Sequence, residues 1–278
     1  MASRLSNTWS LMGASWNVLK KDKELLVFPL LSGICCLLVL ASFAMPVYNS
    51  GWSFFNKDGM TKLGTGQYVL LFLFYFVNYF IITFFNSAVV ACAIKRMKGG
   101  DPTVSDGFQA AFQNIHLILG WAVVAAIVGA ILRAIEERSG IVGRIVTAIL
   151  GMAWSIVSFL VIPIMVAEGK GPLAALKDST ALLKKTWGEQ LIGNFAFGLI
   201  IFFFMLPVIP LIFIGFFLTG GEGLVLILAI AALYVILLSL VQSVLQSIFQ
   251  SAVYLYAREG EVAEGFDSSA LQIAIRPR

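Results

Sequence analysis

Charge is what this chain has least of. Only 12% of its 278 residues are Asp, Glu, Lys or Arg, about half the share that soluble domains carry. Apolar residues make up 59%. So few ions cannot clothe a water-facing surface of this size, which excludes an aqueous globule and leaves lipid to cover most of the molecule. Histidine is scarcer still. His116 stands alone, so no two-histidine metal site can be built within one chain. The three cysteines, Cys35, Cys36 and Cys92, fall inside apolar runs and not in loops, which argues against a disulfide framework and for small buried thiols. No Asn-x-Ser/Thr acceptor occurs, in agreement with a bacterial membrane. The aspartates (Asp22, Asp58, Asp101, Asp106, Asp178 and Asp267) are scattered through the loops, without the clustered carboxylates that phosphoryl-transfer metals require. Gly-x-Ser-x-Gly, phosphate-loop and dinucleotide fingerprints are all missing. Neither enzymatic activity nor a cofactor or metal is expected.

What is present is long apolar sequence. Runs of at least about 18 to 20 residues, the length that crosses the hydrocarbon core, occur at Leu25–Val47, Tyr68–Ile94, Leu117–Ile135, Ile141–Ala167, Leu191–Leu218 and Leu224–Tyr256. Six spans are expected, in an all-α membrane protein. The first 23 residues are amphipathic and Trp-rich, with no short apolar core ahead of a small-residue cleavage site, so the first span is expected to be retained. The last run exceeds what a bilayer requires and should tilt, kink or project. Pro207 and Pro210 should bend the fifth helix, because each removes a backbone donor. Of the 19 basic residues, all but Lys57, Lys62, Arg133, Arg138 and Arg144, that is 14, fall at the termini or in the segments near 95–116 and 168–190. The positive-inside rule then places both termini in the cytoplasm of a bacterial inner membrane.

A second pattern precedes each pair of spans. Leu5, Trp9, Met12, Trp16 and Leu19 are spaced to share one helical face, as are Val104, Phe108, Ala111, Phe112 and Ile115, and again Leu173, Leu176, Thr180, Leu183 and Trp187. These segments read as amphipathic helices lying in the membrane plane on the cytoplasmic side, with Trp9, Trp16, Phe108 and Trp187 as interfacial anchors. Asp101-Pro102 is the expected start of the second, with Asp101 as cap and proline at the first helical position. The chain is thus one transmembrane domain of three repeats, about 1–98, 99–170 and 171–257, followed by an amphipathic tail, 258–278.

Polar residues inside the spans are the candidate site. Gln242, Gln246 and Gln250 recur every four residues on the sixth span, with Ser239, Ser243, Ser247 and Ser251 on the adjoining strip. Primary amides are costly to leave unpaired in hydrocarbon, so this double strip should face protein or water. Asn78, Asn86 and Asn194 are candidate partners. The strip is either a polar path or interhelical glue. Arg133, Glu136, Glu137 and Arg144 form an expected ion-pair cluster at the outer end of the third and fourth spans. Small residues repeat as Gly143, Thr147, Gly151 and Ser155, and as Ala122, Ala126 and Ala130 beside Gly129, which lets backbones approach closely. Basic runs at Lys20, Lys21 and Lys23, at Lys95, Arg96 and Lys98, and at Lys184 and Lys185 suit anionic lipid headgroups. Nothing supports nucleic-acid binding. Membrane lipids are the expected partners, with a second copy of the chain or another membrane protein left open.

Three stretches carry a resemblance: Trp9, Ser15-Trp16, Lys20, Leu25 and Phe28-Pro29; Gly107-Phe108-Gln109-Ala110-Ala111; and Ala174-Ala175, Ser179 and Leu182-Leu183-Lys184. Together they resemble a family of uncharacterised bacterial integral membrane proteins, and are similar to the membrane domain attached to some glycerophosphodiester phosphodiesterases. The resemblance implies six helices with in-plane connecting helices, and carries over no catalytic residue. Two functions stay open. One is passage of a lipid or small solute along Gln242, Gln246, Gln250 and Asn78. The other is a membrane-organising or assembly role for the amphipathic collar.

Overall fold

The computed structural model describes residues 2–49, 65–138, 140–186, 202–218, 220–260 and 266. Among them, every long element is α-helical and no strand occurs. A helix satisfies its own backbone donors and acceptors, which so apolar a chain cannot do through water. In chain order the helices are α1 (Ala2–Lys21), α2 (Val27–Asn49), α3 (Thr65–Met97), α4 (Val104–Gln113), α5 (Ile115–Arg138), α6 (Gly140–Val157), α7 (Val161–Glu168), α8 (Pro172–Thr186), α9 (Val208–Leu218) and α10 (Gly220–Glu259). A 3-10 turn, Lys23–Leu26, leads into α2.

Among the described residues, five helical stretches are long and apolar enough to cross a membrane: Lys23–Met45, Val69–Met97, Ile115–Glu136, Val142–Glu168 and Gly223–Glu259. The fifth expected span lies partly outside the described residues; its described part, Phe202–Phe216, is a shorter apolar helix. A turn at Leu206 and Pro207 interrupts it, where the Ile209 amide reaches back only to the Leu206 carbonyl at 3.2 Å. That is the expected proline bend. The fourth span is also broken, between α6 and α7. Pro163 has no amide proton for the Phe159 carbonyl, and the helix loosens over residues 158–160 just before it.

The chain divides into two compact units. The first comprises Met1–Leu26, Cys92–Pro102 and Leu182–Arg278. Within it α1 lies against α10, and the C-terminal half of α10 supplies the core through Val244, Leu245, Ile248, Phe249, Ala252 and Val253. Gly215 lets α9 approach α10: a Cβ there would stand 3.0 Å from Ile227 Cγ2. The second unit comprises Val27–Ala91 and Thr103–Ala181. At one end Phe28, Phe84, Phe85, Phe108 and Phe112 form an aromatic cluster; the Phe28–Phe108 centroids are 5.5 Å apart and the Phe84–Phe112 centroids 5.0 Å. α5 and α6 pack side by side, with Trp121 stacked on Trp154 at 5.5 Å.

The start of α4 differs from expectation. Thr103, not Asp101, is the N-cap. Its hydroxyl accepts from the Asp106 amide, and Asp106 returns a bond to the Thr103 amide, closing a capping box. Asp101 does not cap because its carboxylate is engaged by Arg96.

Candidate functional site

On α10, Gln242, Gln246 and Gln250 are all half-buried, at the border of the packed C-terminal half. The neighbouring serines turn inward on their own helix: Ser239 donates to the Val235 carbonyl, Ser247 to Ser243 and Ser251 to Ser247, at 2.8 to 2.9 Å. Ser243 is exposed. None of the three glutamine amides makes a hydrogen bond among the described residues. Asn78, expected as a partner, donates to the Phe74 carbonyl of its own helix at 2.8 Å, and belongs to the second unit while the glutamines belong to the first. Asn86 is half-buried and already partnered. Asn194 lies outside the described residues.

The second unit holds a cavity of about 680 Å³. α3 contributes Phe72, Tyr75 and Tyr79; α5 contributes Ala126, Gly129, Ala130, Arg133 and Glu136; and α6 contributes Arg144, Thr147 and Ala148. The small-residue rows of α5 and α6 therefore leave space here, while Ala122 and Gly143 of the same rows are buried. Arg133 Nη1 donates to the Tyr75 hydroxyl at 3.1 Å. Glu136 and Arg144 come to the same wall without an ion pair of their own among the described residues. The Glu137 side chain lies outside the described residues. Tyr75 and Tyr79 were not singled out in the sequence, since two tyrosines in an aromatic-rich span carry no signal of their own.

A third polar group ties the first unit together. Arg96 forks onto the carboxylate of Asp22, which is buried, and also reaches Asp101. Lys98 pairs with Glu259 at 2.9 Å. The last turn of α3 is thereby bound to the end of α1 and to the end of α10. In the second unit, Lys170 joins Asp178 and Glu168. Its pKa is raised above the ordinary lysine value, chiefly by the hydrogen bond with Asp178 and then by that with Glu168. The ammonium therefore stays charged at neutral pH, and its contribution is lost only as pH rises beyond the lysine range.

Of the expected interfacial anchors, Trp9 and Trp16 are 53% and 43% exposed. Together with Lys20 they lie on the side of α1 away from its buried residues Leu11, Ser15 and Val18. Phe108 is instead half-buried within the aromatic cluster. Trp187 lies outside the described residues. Among the described residues, no three His, Cys, Asp or Glu side chains come together as a metal site.

The model of a family of unknown function (DUF6159) matches residues 65–265, and the chain belongs to that family. The match agrees with the resemblance to an uncharacterised family and does not extend it to glycerophosphodiester phosphodiesterases. No curated protein matches the chain.

Proposed function

We propose that this member of a family of unknown function is a six-span inner-membrane protein, not an enzyme, that passes a lipid or small solute. In this reading Phe202–Phe216 belongs to the remaining span and both termini are cytoplasmic. One observation carries passage: three primary amides in line on α10, half-buried and without described hydrogen-bond partners. Amides kept in hydrocarbon at that cost favour a polar molecule moving past them. The test replaces Gln242, Gln246 and Gln250 together with Leu and measures flux of labelled lipid and small solutes in proteoliposomes. Lost flux with an unchanged melting temperature is expected. Misfolding of the variant, with no flux in the parent, would assign the strip to helix association instead.

A second reading is favoured by α1. Its exposed Trp9, Trp16 and Lys20 strip suits a bilayer surface, with tryptophan at headgroup depth and lysine toward anionic lipid. Such a helix would organise lipid or dock an assembly partner without transporting anything. Replacing Trp9 and Trp16 with Ser should then weaken lipid-dependent assembly while leaving flux untouched.

A further inference from the structure

The cavity between α3, α5 and α6 is graded along its length. Arg133 and Glu136 lie in the last turn of the candidate span Ile115–Glu136, and Arg144 in the first turn of Val142–Glu168. Ala126 lies ten residues before the end of its span, and Tyr79 ten residues after the start of Val69–Met97. At 1.5 Å per residue, both stand roughly 15 Å inside, near the middle of a hydrocarbon layer about 30 Å thick. The ions thus sit at headgroup depth, and the aromatic and small residues continue inward alongside acyl chains. Phe72, Tyr75 and Tyr79 remain substantially exposed at the rim, so the opening faces the surroundings of the spans. The volume is that of a small-molecule site. The described wall carries two guanidiniums against one carboxylate. Guanidinium presents its donors in a planar fork that suits phosphate oxygens.

We infer that this cavity holds an anionic phospholipid, its phosphate between Arg133 and Arg144 and one acyl chain running inward past Gly129 to Ala126 and Tyr79. The inference rests on the bilayer reading of these spans but not on passage, because a lipid can be held at equilibrium without being moved. Gly129 provides a clean way to fill the site. A Cβ there meets nothing within 4 Å, so Gly129→Leu places its side chain in the cavity itself and improves helix propensity.

The test purifies the full chain in mild detergent and adds phosphatidylglycerol, phosphatidylcholine or inorganic phosphate. Retained lipid is read by native mass spectrometry, and melting temperature is read without lipid. The parent should retain phosphatidylglycerol at least tenfold over phosphatidylcholine, with millimolar phosphate failing to displace it. Arg144→Gln should lower that retention about tenfold, and Gly129→Leu should abolish it with the melting temperature unchanged or raised. Equal retention of the two lipids, displacement by phosphate alone, or full retention by Gly129→Leu would overturn the assignment. Retention of neither lipid would overturn it as well, and flux after reconstitution of the same protein into liposomes reports separately on passage.

Discussion

Ser179 is fully buried on α8 and accepts a hydrogen bond from the Leu160 amide at 3.2 Å, at the break in the fourth span. Pro163 disrupts the helical ladder there, and the serine satisfies a donor that the break leaves over. Ser179→Ala is therefore expected to cost about 1–3 kcal/mol, read as a lower melting temperature in detergent; an unchanged value would mean that the amide finds another acceptor. Asp22 is the other residue on which much depends. Removing it strips the bidentate partner from Arg96, at an expected cost of about 2–3 kcal/mol, allowing for the partial exposure of Arg96. In a double-mutant cycle with Arg96→Ala the double variant should lose less than the sum of the two single losses; simple additivity would deny the coupling. Neither contact was legible in the sequence. Asp22 and Arg96 are 74 residues apart, and Ser179 stood out only as part of a resemblance, which names no partner for it. The glutamine strip was legible, because its four-residue spacing is a property of one helix and needs no partner.

The helices themselves were readable from length and apolar content, yet the faces they bury were not. Of the stripe on α1, Met12 and Leu19 are buried but Trp9 and Trp16 are exposed, and the packed face centres on Leu11, Ser15 and Val18. α8 repeats this: Leu183 of the stripe is buried, but beside Ala175, Ser179 and Leu182, and Leu173 is exposed. On α6, Gly143 is buried while Val142, Ile145 and Ile149 face outward. Where lipid replaces water, large apolar side chains gain nothing by turning inward, and small ones let neighbours close up. Apolar periodicity therefore finds such a helix but does not say which side is inside. This inversion makes a prediction at two adjacent positions. Ser15→Leu should overpack the contact of α1 with α10 and destabilise by about 1–3 kcal/mol, while Trp16→Leu should change stability by less than about 0.5 kcal/mol. Denaturant melts of the two variants decide it, and the reverse order would restore the tryptophan side as the packed one. Chain reversals follow a rule of their own: Gly99, Gly169 and Gly260, each just past the end of a long apolar stretch, adopt left-handed backbone with φ of 81°, 63° and 70°, a conformation that stops a helix and favours glycine.

For the molecule as a whole, the sidedness argued from lysine and arginine gives a direct measurement. In a cysteine-free background, a cysteine placed at Asn56 or Ser139 should react with an impermeant reagent in intact cells. One at Lys20 or Lys177 should react only after permeabilisation; the opposite pattern would invert the topology. Composition sufficed for the class of molecule, whereas its two compact units were hidden. The first unit draws on the beginning, middle and end of the chain, and no local pattern announces such joins.

The seating of α1 on α10 also has a consequence in time. α1 leaves the ribosome long before its partner: the buried C-terminal half of α10 emerges some 230 positions later. At elongation rates of about 20 residues per second or slower that is roughly 12 s or longer. Throughout that interval the apolar side of α1 must be sheltered by something other than α10. α1 reaches its final seat only after α10 exists.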